Sequence, residues 1–139
     1  MENLTDEKQI RNVIQGYNKA YEDKDIGKVM SFFSEDTKRI RLYKVDEKTA
    51  IGKNAVRATF VEEFDRVNIA DSTCDIDAPM ISGDAASGIY KWRMDFTDLQ
   101  NNGVKVVATG KGIVKLKKAD GIWKITELEE TIDSWDQQE

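Results

Sequence analysis

With 139 residues, 40% of them hydrophobic and 34% charged, the chain reads as one soluble domain, large enough to bury roughly two thirds of its unfolded surface. A net charge of −5 argues against general nucleic-acid binding, and no apolar run approaches the roughly 20 residues of a membrane-spanning helix. The chain has no histidine and a single cysteine, Cys74, which excludes Ser-His-Asp and Cys-His catalysis, an internal disulfide and a structural zinc site. Any chemistry must run on carboxylates, Tyr, Lys, Arg or water, and no cofactor is implied.

The opening residues MENLTDEKQ are polar and acidic, so no secretory signal is expected. With a lone thiol, the expected setting is the reducing cytoplasm. Thr5 is a good N-cap for a helix whose Ile10, Val13, Ile14, Tyr17 and Tyr21 form one apolar stripe. Asp25 caps a second, short helix carrying Val29, Met30 and Phe33. A strand is predicted over 38–45, where Ile40 and Leu42 alternate with Arg39, Arg41 and Tyr43. Gly52 opens a third helix with Val56, Phe60, Phe64 and Val67 on one side.

From about residue 72 onward everything reads as strand: 72–80, a long hairpin over 87–116, and 121–132 after an Asp120-Gly121 turn. Residues 133–139 are expected to fray. In the hairpin Tyr90, Trp92, Met94 and Phe96 alternate with Lys91, Arg93, Asp95 and Thr97. Its turn lies in Leu99-Gln-Asn-Asn-Gly103, and Asn-Gly tolerates positive φ. The order is helix, helix, strand, helix, then four long strands, an α+β layout with helices across one face of a curved sheet.

Three stretches carry a resemblance to a known family: IQGYNKAYEDKDIGKVMSFFSEDT (14–37), IGKNAVRATF (51–60) and GIVKLKKADGIWKITELEETI (112–132). Together they resemble the nuclear transport factor 2-like superfamily, in the style of its SnoaL-like and ketosteroid-isomerase-like branches. The resemblance implies a cystatin-like cone, a curved mixed or antiparallel sheet with three helices from the N-terminal half packed on its concave face. It implies a small-molecule pocket between helices and sheet, and a homodimer formed through the outside of the sheet. Tyr17 sits where ketosteroid isomerases place an oxyanion-stabilising tyrosine. The places of their catalytic base and second donor fall near Arg41 and Gly112, so that catalytic set is missing. Arg93-Met94-Asp95 is similar to the Arg-x-Asp of limonene-epoxide-hydrolase-like members, with Glu130 as the matching carboxylate on the last strand.

Two registers are open for the hairpin. A two-residue turn at Asn102-Gly103 sets Asp95 opposite Gly110 and Arg93 opposite Gly112, on a concave face closed by Tyr17. Tyr90, Trp92 and Phe96 then form an apolar outer face suited to a dimer interface. A three-residue loop exchanges the faces, with aromatics in the core and charges in solvent. On the first register Asp95, Tyr17 and Glu130 are the candidate catalytic residues, and Arg93, Tyr17, Arg41, Gly110 and Gly112 the candidate ligand contacts. The leading expectation is a small-molecule-binding protein. A carboxylate-based isomerase, cyclase or epoxide-hydrolase-type enzyme and a non-catalytic partner-binding domain are the alternatives.

Overall fold

The computed structural model describes residues 5–43 and 46–138. Three helices, α1 (Asp6–Glu22), α2 (Ile26–Ser31) and α3 (Lys53–Arg66), lie on the concave face of a curved, open sheet. Its strands are β1 (Phe33–Tyr43), β2 (Asp46–Ile51), β3 (Val67–Ile76), β4 (Met80–Ser82), β5 (Ala85–Asp98), β6 (Val104–Ala119) and β7 (Ile122–Gln138). The order across the sheet is β2-β1-β7-β6-β5-β3, with β4 beside β5; only β1 and β7 run parallel. Among the described residues no helix is long and apolar enough to cross a membrane.

Two stripes on α1 do different work. Ile10, Ile14 and Tyr17 enter the core. One residue further round, Arg11, Gln15 and Asn18 donate side-chain hydrogen bonds to the carbonyls of Ile76, Cys74 and Ser72 at 2.8–3.0 Å, while Glu22 accepts from the Ser72 N–H. These bonds satisfy the outer edge of β3, which would otherwise be open to pairing. Thr5 caps α1 as expected, its Oγ1 accepting from Lys8 at 3.2 Å. Asp6 then takes hydrogen bonds from Lys118 and Trp123, which anchor the helix start to the β6–β7 hairpin and lower its pKa.

The hairpin register is the main correction to the sequence reading. Asp98 pairs with Val104, so the loop is the five residues 99–103. The Asp98 carbonyl accepts from Asn101 and Gly103, and its buried carboxylate accepts from Gln100, which closes a wider loop than two residues. Asn102 and Gly103 still take the positive φ their types allow. Trp92 therefore faces Gly110 and Tyr90 faces Gly112, while Arg93 pairs with Thr109 and Asp95 with Val107. Tyr90 and Phe96 are buried and Trp92 half-buried on the concave side, so none of the three is available for an outer dimer interface.

Gly110 and Gly112 do make room, but for aromatics. A Cβ at Gly112 would stand 2.0 Å from the Tyr90 ring; one at Gly110 would stand 1.9 Å from the Thr131 carbonyl and 2.5 Å from the Trp92 indole. That carbonyl accepts from the Trp92 indole N–H at 3.2 Å.

Smaller differences have equally local causes. Phe33 opens β1 instead of closing α2, because the helix ends at Ser31 and Phe32 caps it. Residues 46–51 form β2, a strand not anticipated, and Val45, the predicted end of the preceding strand, lies outside the described residues. Residues 133–138 continue β7 instead of fraying, with Glu139 outside the described residues. An extra residue at Asp133 bulges β7 between its Ile132–Gly110 and Ser134–Thr109 pairs, bringing Trp135 back to the concave face, edge-on to Phe96 at 5.2 Å.

Gly110→Ala should destabilise the protein by about 2 kcal/mol or more, since the methyl meets backbone that cannot yield. Gly27→Ala, in the short α2 with nothing nearer than 3.8 Å, should be neutral or stabilising by about 0.5 kcal/mol. Urea unfolding of both variants checks this; equal midpoints would show that Trp92 does not need the glycine.

Candidate functional site

The polar centre of the concave face is Arg39, whose side chain is only 2% exposed. Its Nε donates to Glu130 of β7 at 2.8 Å and its Nη1 to Thr59 of α3 at 2.8 Å. Nη2 lies 2.9 Å from Glu63 of α3, and the guanidinium carbon sits 4.0 Å from the centre of the Phe60 ring. Arg41 reaches the same Glu63 at 3.0 Å, and the Tyr21 hydroxyl donates to it at 2.9 Å. Burial opposes a charged Arg39, but the carboxylates of Glu130 and Glu63 outweigh it and hold its pKa well above the usual value.

Register explains the convergence. Parallel pairing sets Arg39 beside Leu128 and Arg41 beside Glu130, so both arginines project inward. Glu63 enters because it shares the apolar stripe of Phe60 and Phe64 on α3. Tyr17 closes the group from α1, edge-on to Phe33 at 5.7 Å and to Phe60 at 6.0 Å.

Of the residues singled out from sequence, the structure brings together Tyr17, Glu130 and Arg41, with Gly110 and Gly112 in the floor beneath Trp92 and Tyr90. It does not bring in Arg93 and Asp95. They form a pair at 3.1 Å on the outer face, with side chains 58% and 37% exposed, which corrects their predicted place in the pocket. Such a pair contributes little to stability.

The electrostatics favour donors over nucleophiles. Desolvation, reinforced by the charge of Glu130, raises Tyr17 and Tyr90 well above 10, and desolvation with Glu63 does the same to Tyr21. All three stay protonated at neutral pH. Burial pushes the Cys74 thiol up to about 12, so it is no nucleophile there.

No family model matches this chain, and no curated protein matches it. Solved structures do. A ketosteroid isomerase-like protein from Erwinia carotovora atroseptica superposes with a TM-score of 0.80 at 19% identity, over 95% of this chain and 99% of that one. An NTF-2 like protein from Shewanella oneidensis gives 0.65 at 18% identity, over 89% and 97%. The chain has the nuclear transport factor 2-like fold. A type 2 hexachlorocyclohexane dehydrochlorinase shares it, with a TM-score of 0.76 at 11% identity over 95% of this chain and 88% of that one.

Within this nuclear transport factor 2-like chain, sequence reasoning missed Arg39 and Glu63 as site residues. A signal existed for Glu63: a carboxylate on an apolar helical stripe calls for a buried cation. Arg39 carried none, because an arginine alternating along a strand reads equally well as surface.

Stability should fall as pH rises through the alkaline range. The unfolded chain releases the Cys74 proton from about pH 8.5 and the tyrosine protons near pH 10, while the native state keeps them. The unfolded state then binds fewer protons, and each group removes up to about 1.4 kcal/mol per pH unit. Phenolate absorbance from Tyr17, Tyr21 and Tyr90 should appear only together with loss of near-ultraviolet circular dichroism. Phenolate from more than one of the four tyrosines in the folded protein at about pH 10 would contradict their burial.

Proposed function

We propose that this chain binds a small molecule between its helical layer and the concave sheet, with Glu130, Tyr17 and Arg41 as polar contacts. One observation carries the reading: a cluster of two arginines and two glutamates stands at the centre of an otherwise apolar interior. Folding alone does not favour it, since a buried ion cluster is no more stabilising than apolar residues of similar volume. Glu130, Glu63 and Arg41 keep part of their side chains exposed while Arg39 is sealed behind them. The cluster thus presents a reachable polar edge held by a fixed cation, an arrangement suited to orienting a ligand. That structural neighbours include a dehydrochlorinase and an isomerase-like protein supports small-molecule binding by this fold.

A thermal-shift screen of small apolar and aromatic compounds, with mass spectrometry of the purified protein, tests this. A ligand should raise the melting temperature of the wild type and bind Glu130→Gln about tenfold or more weakly. A screen in which nothing raises the melting temperature, and no small molecule co-purifies, would remove the reading.

Glu130 supports a second, catalytic reading. Arg39 bonds both of its oxygens, leaving lone pairs suited to orienting a water, with Tyr17 donating to developing negative charge. Turnover of any substrate found should vanish in Glu130→Gln with the fold intact; unchanged turnover rules Glu130 out.

The outer face supports a homodimer, through residues other than those first expected. Met80, Ile89 and Ile113 stand exposed there, beside a groove of about 410 Å³ between Met80 and Lys115. On β6, Lys111 and Lys115 flank Ile113, whose partner on β7 is Glu129, and Lys115 pairs with Glu127, so a twofold axis running between these strands brings lysines of one copy near glutamates of the other. Ile113→Glu should convert a dimer to a monomer in analytical ultracentrifugation. A wild type that is already monomeric at micromolar concentration would remove the proposal.

A further inference from the structure

A hollow on the convex face has no part in the interior site. Its floor is β5, where Ala86 enters the core and Ala85 and Ser87 therefore turn outward with little side chain. Ser87 pairs with Met80 of β4 and Lys115 of β6, and Ala85 with Ser82 and Lys117. The small residues leave a trough of about 410 Å³ between Met80 and the lysine stems. A further hollow of about 290 Å³ continues past Ser87 to Ile89 and Ile113. From Ala85 to Ile89 the line follows four residue steps of strand, roughly 13 Å, which is the reach of a medium-chain acyl group.

The two ends of the trough differ in charge. Asp77 stands at the Ile89 end. At the other end Lys115 is held by Glu127 at 3.1 Å, but Lys117 forms no ion pair with any described residue, Asp84 of the adjoining turn included. Directly opposite Lys117 on β7 is a second lysine, Lys124, whose Nζ donates to the Ser31 carbonyl. Like charges paired across a sheet are unfavourable, and an anion beside Lys117 offsets them. Between the ends Met80 and Ile89 stand exposed, an apolar stretch of the kind that marks a binding surface. A compact anion would leave that stretch bare, and a cation would meet Lys117.

We infer that this trough binds a straight-chain carboxylate of medium length, its head at Lys117 and its tail over Ser87 toward Ile89. Asp77 sets the direction, since it repels a carboxylate placed beside it. Met80 lies along the chain, its unbranched thioether adapting to the tail. The site is over β4 and β5, to one side of the β6–β7 seam on which the dimer axis is placed, and the sheet separates it from the concave interior.

Isothermal titration calorimetry with decanoate and hexanoate separates the tail from the head. The wild type should bind decanoate about tenfold or more tightly than hexanoate, because the longer tail covers more of the apolar stretch. Lys117→Gln should weaken decanoate about threefold, and added salt should weaken the wild type more than that variant. Ser87→Leu fills the floor and should remove most of the affinity; Ala85→Leu makes the same test should Ser87→Leu fail to fold. Equal binding of the two acids, or an affinity for decanoate that Lys117→Gln leaves unchanged, overturns the inference. Decanoate binding unmoved by the leucine variants belongs to the interior and also overturns it. No binding of decanoate overturns it as well, and a wild-type dimer that Ser87→Leu dissociates in analytical ultracentrifugation then gives the trough to a second copy of the chain.

Discussion

A guanidinium buried among aromatic rings sets the terms for this molecule. Arg39 cannot be hydrated, so every element around it must bring an acceptor or a π-face: β7 brings Glu130, and α3 brings Thr59, Glu63 and the ring of Phe60. The bonds that satisfy the charge thereby join the helical layer to the sheet at a fixed place. Tyr21 and Arg41 join through Glu63, which links α1 and the neighbouring strand position to the same point. A partly satisfied version of this network would be worse than an apolar core, which is why its members sit so close.

The floor of the interior obeys a different constraint, one of volume. Tyr90 and Trp92 are too large to lie flat on a sheet whose facing strand carries side chains, and Gly112 and Gly110 remove that obstacle. The bulge at Asp133 adds to it by turning a Thr131 carbonyl toward the Trp92 indole and returning Trp135 to the concave side. Polar cluster, aromatic floor and tyrosine roof therefore meet at one place, where α3 packs against β1 beside β7. The functional reading follows from that meeting and not from any single residue.

Much of this was legible beforehand. The apolar stripe of α1, its Thr5 cap, the helix after Gly52 and the long hairpin all follow from local periodicity, and their order resembles the cone the structure shows. Tyr17 and Glu130 were identifiable as inward candidates. The Arg93–Asp95 pair was misplaced because alternation says which residues share a face but not which face is inside. The wider loop closed by Asp98 decided that, and the pairing of Tyr90 and Trp92 with glycines was the overlooked signal.

By itself the amino-acid sequence determined the elements, the absence of histidine chemistry and the supply of carboxylates, arginines and tyrosines from which any site had to be built. These are local or compositional properties, readable one window at a time. Only the tertiary structure decided that Arg39 lies between Glu130 and Glu63, 91 and 24 residues away, and that Asp95 faces solvent. The physical reason is register. Sliding a strand by an odd number of residues changes no local preference but exchanges its two faces, and the choice falls to long-range packing that no single window contains.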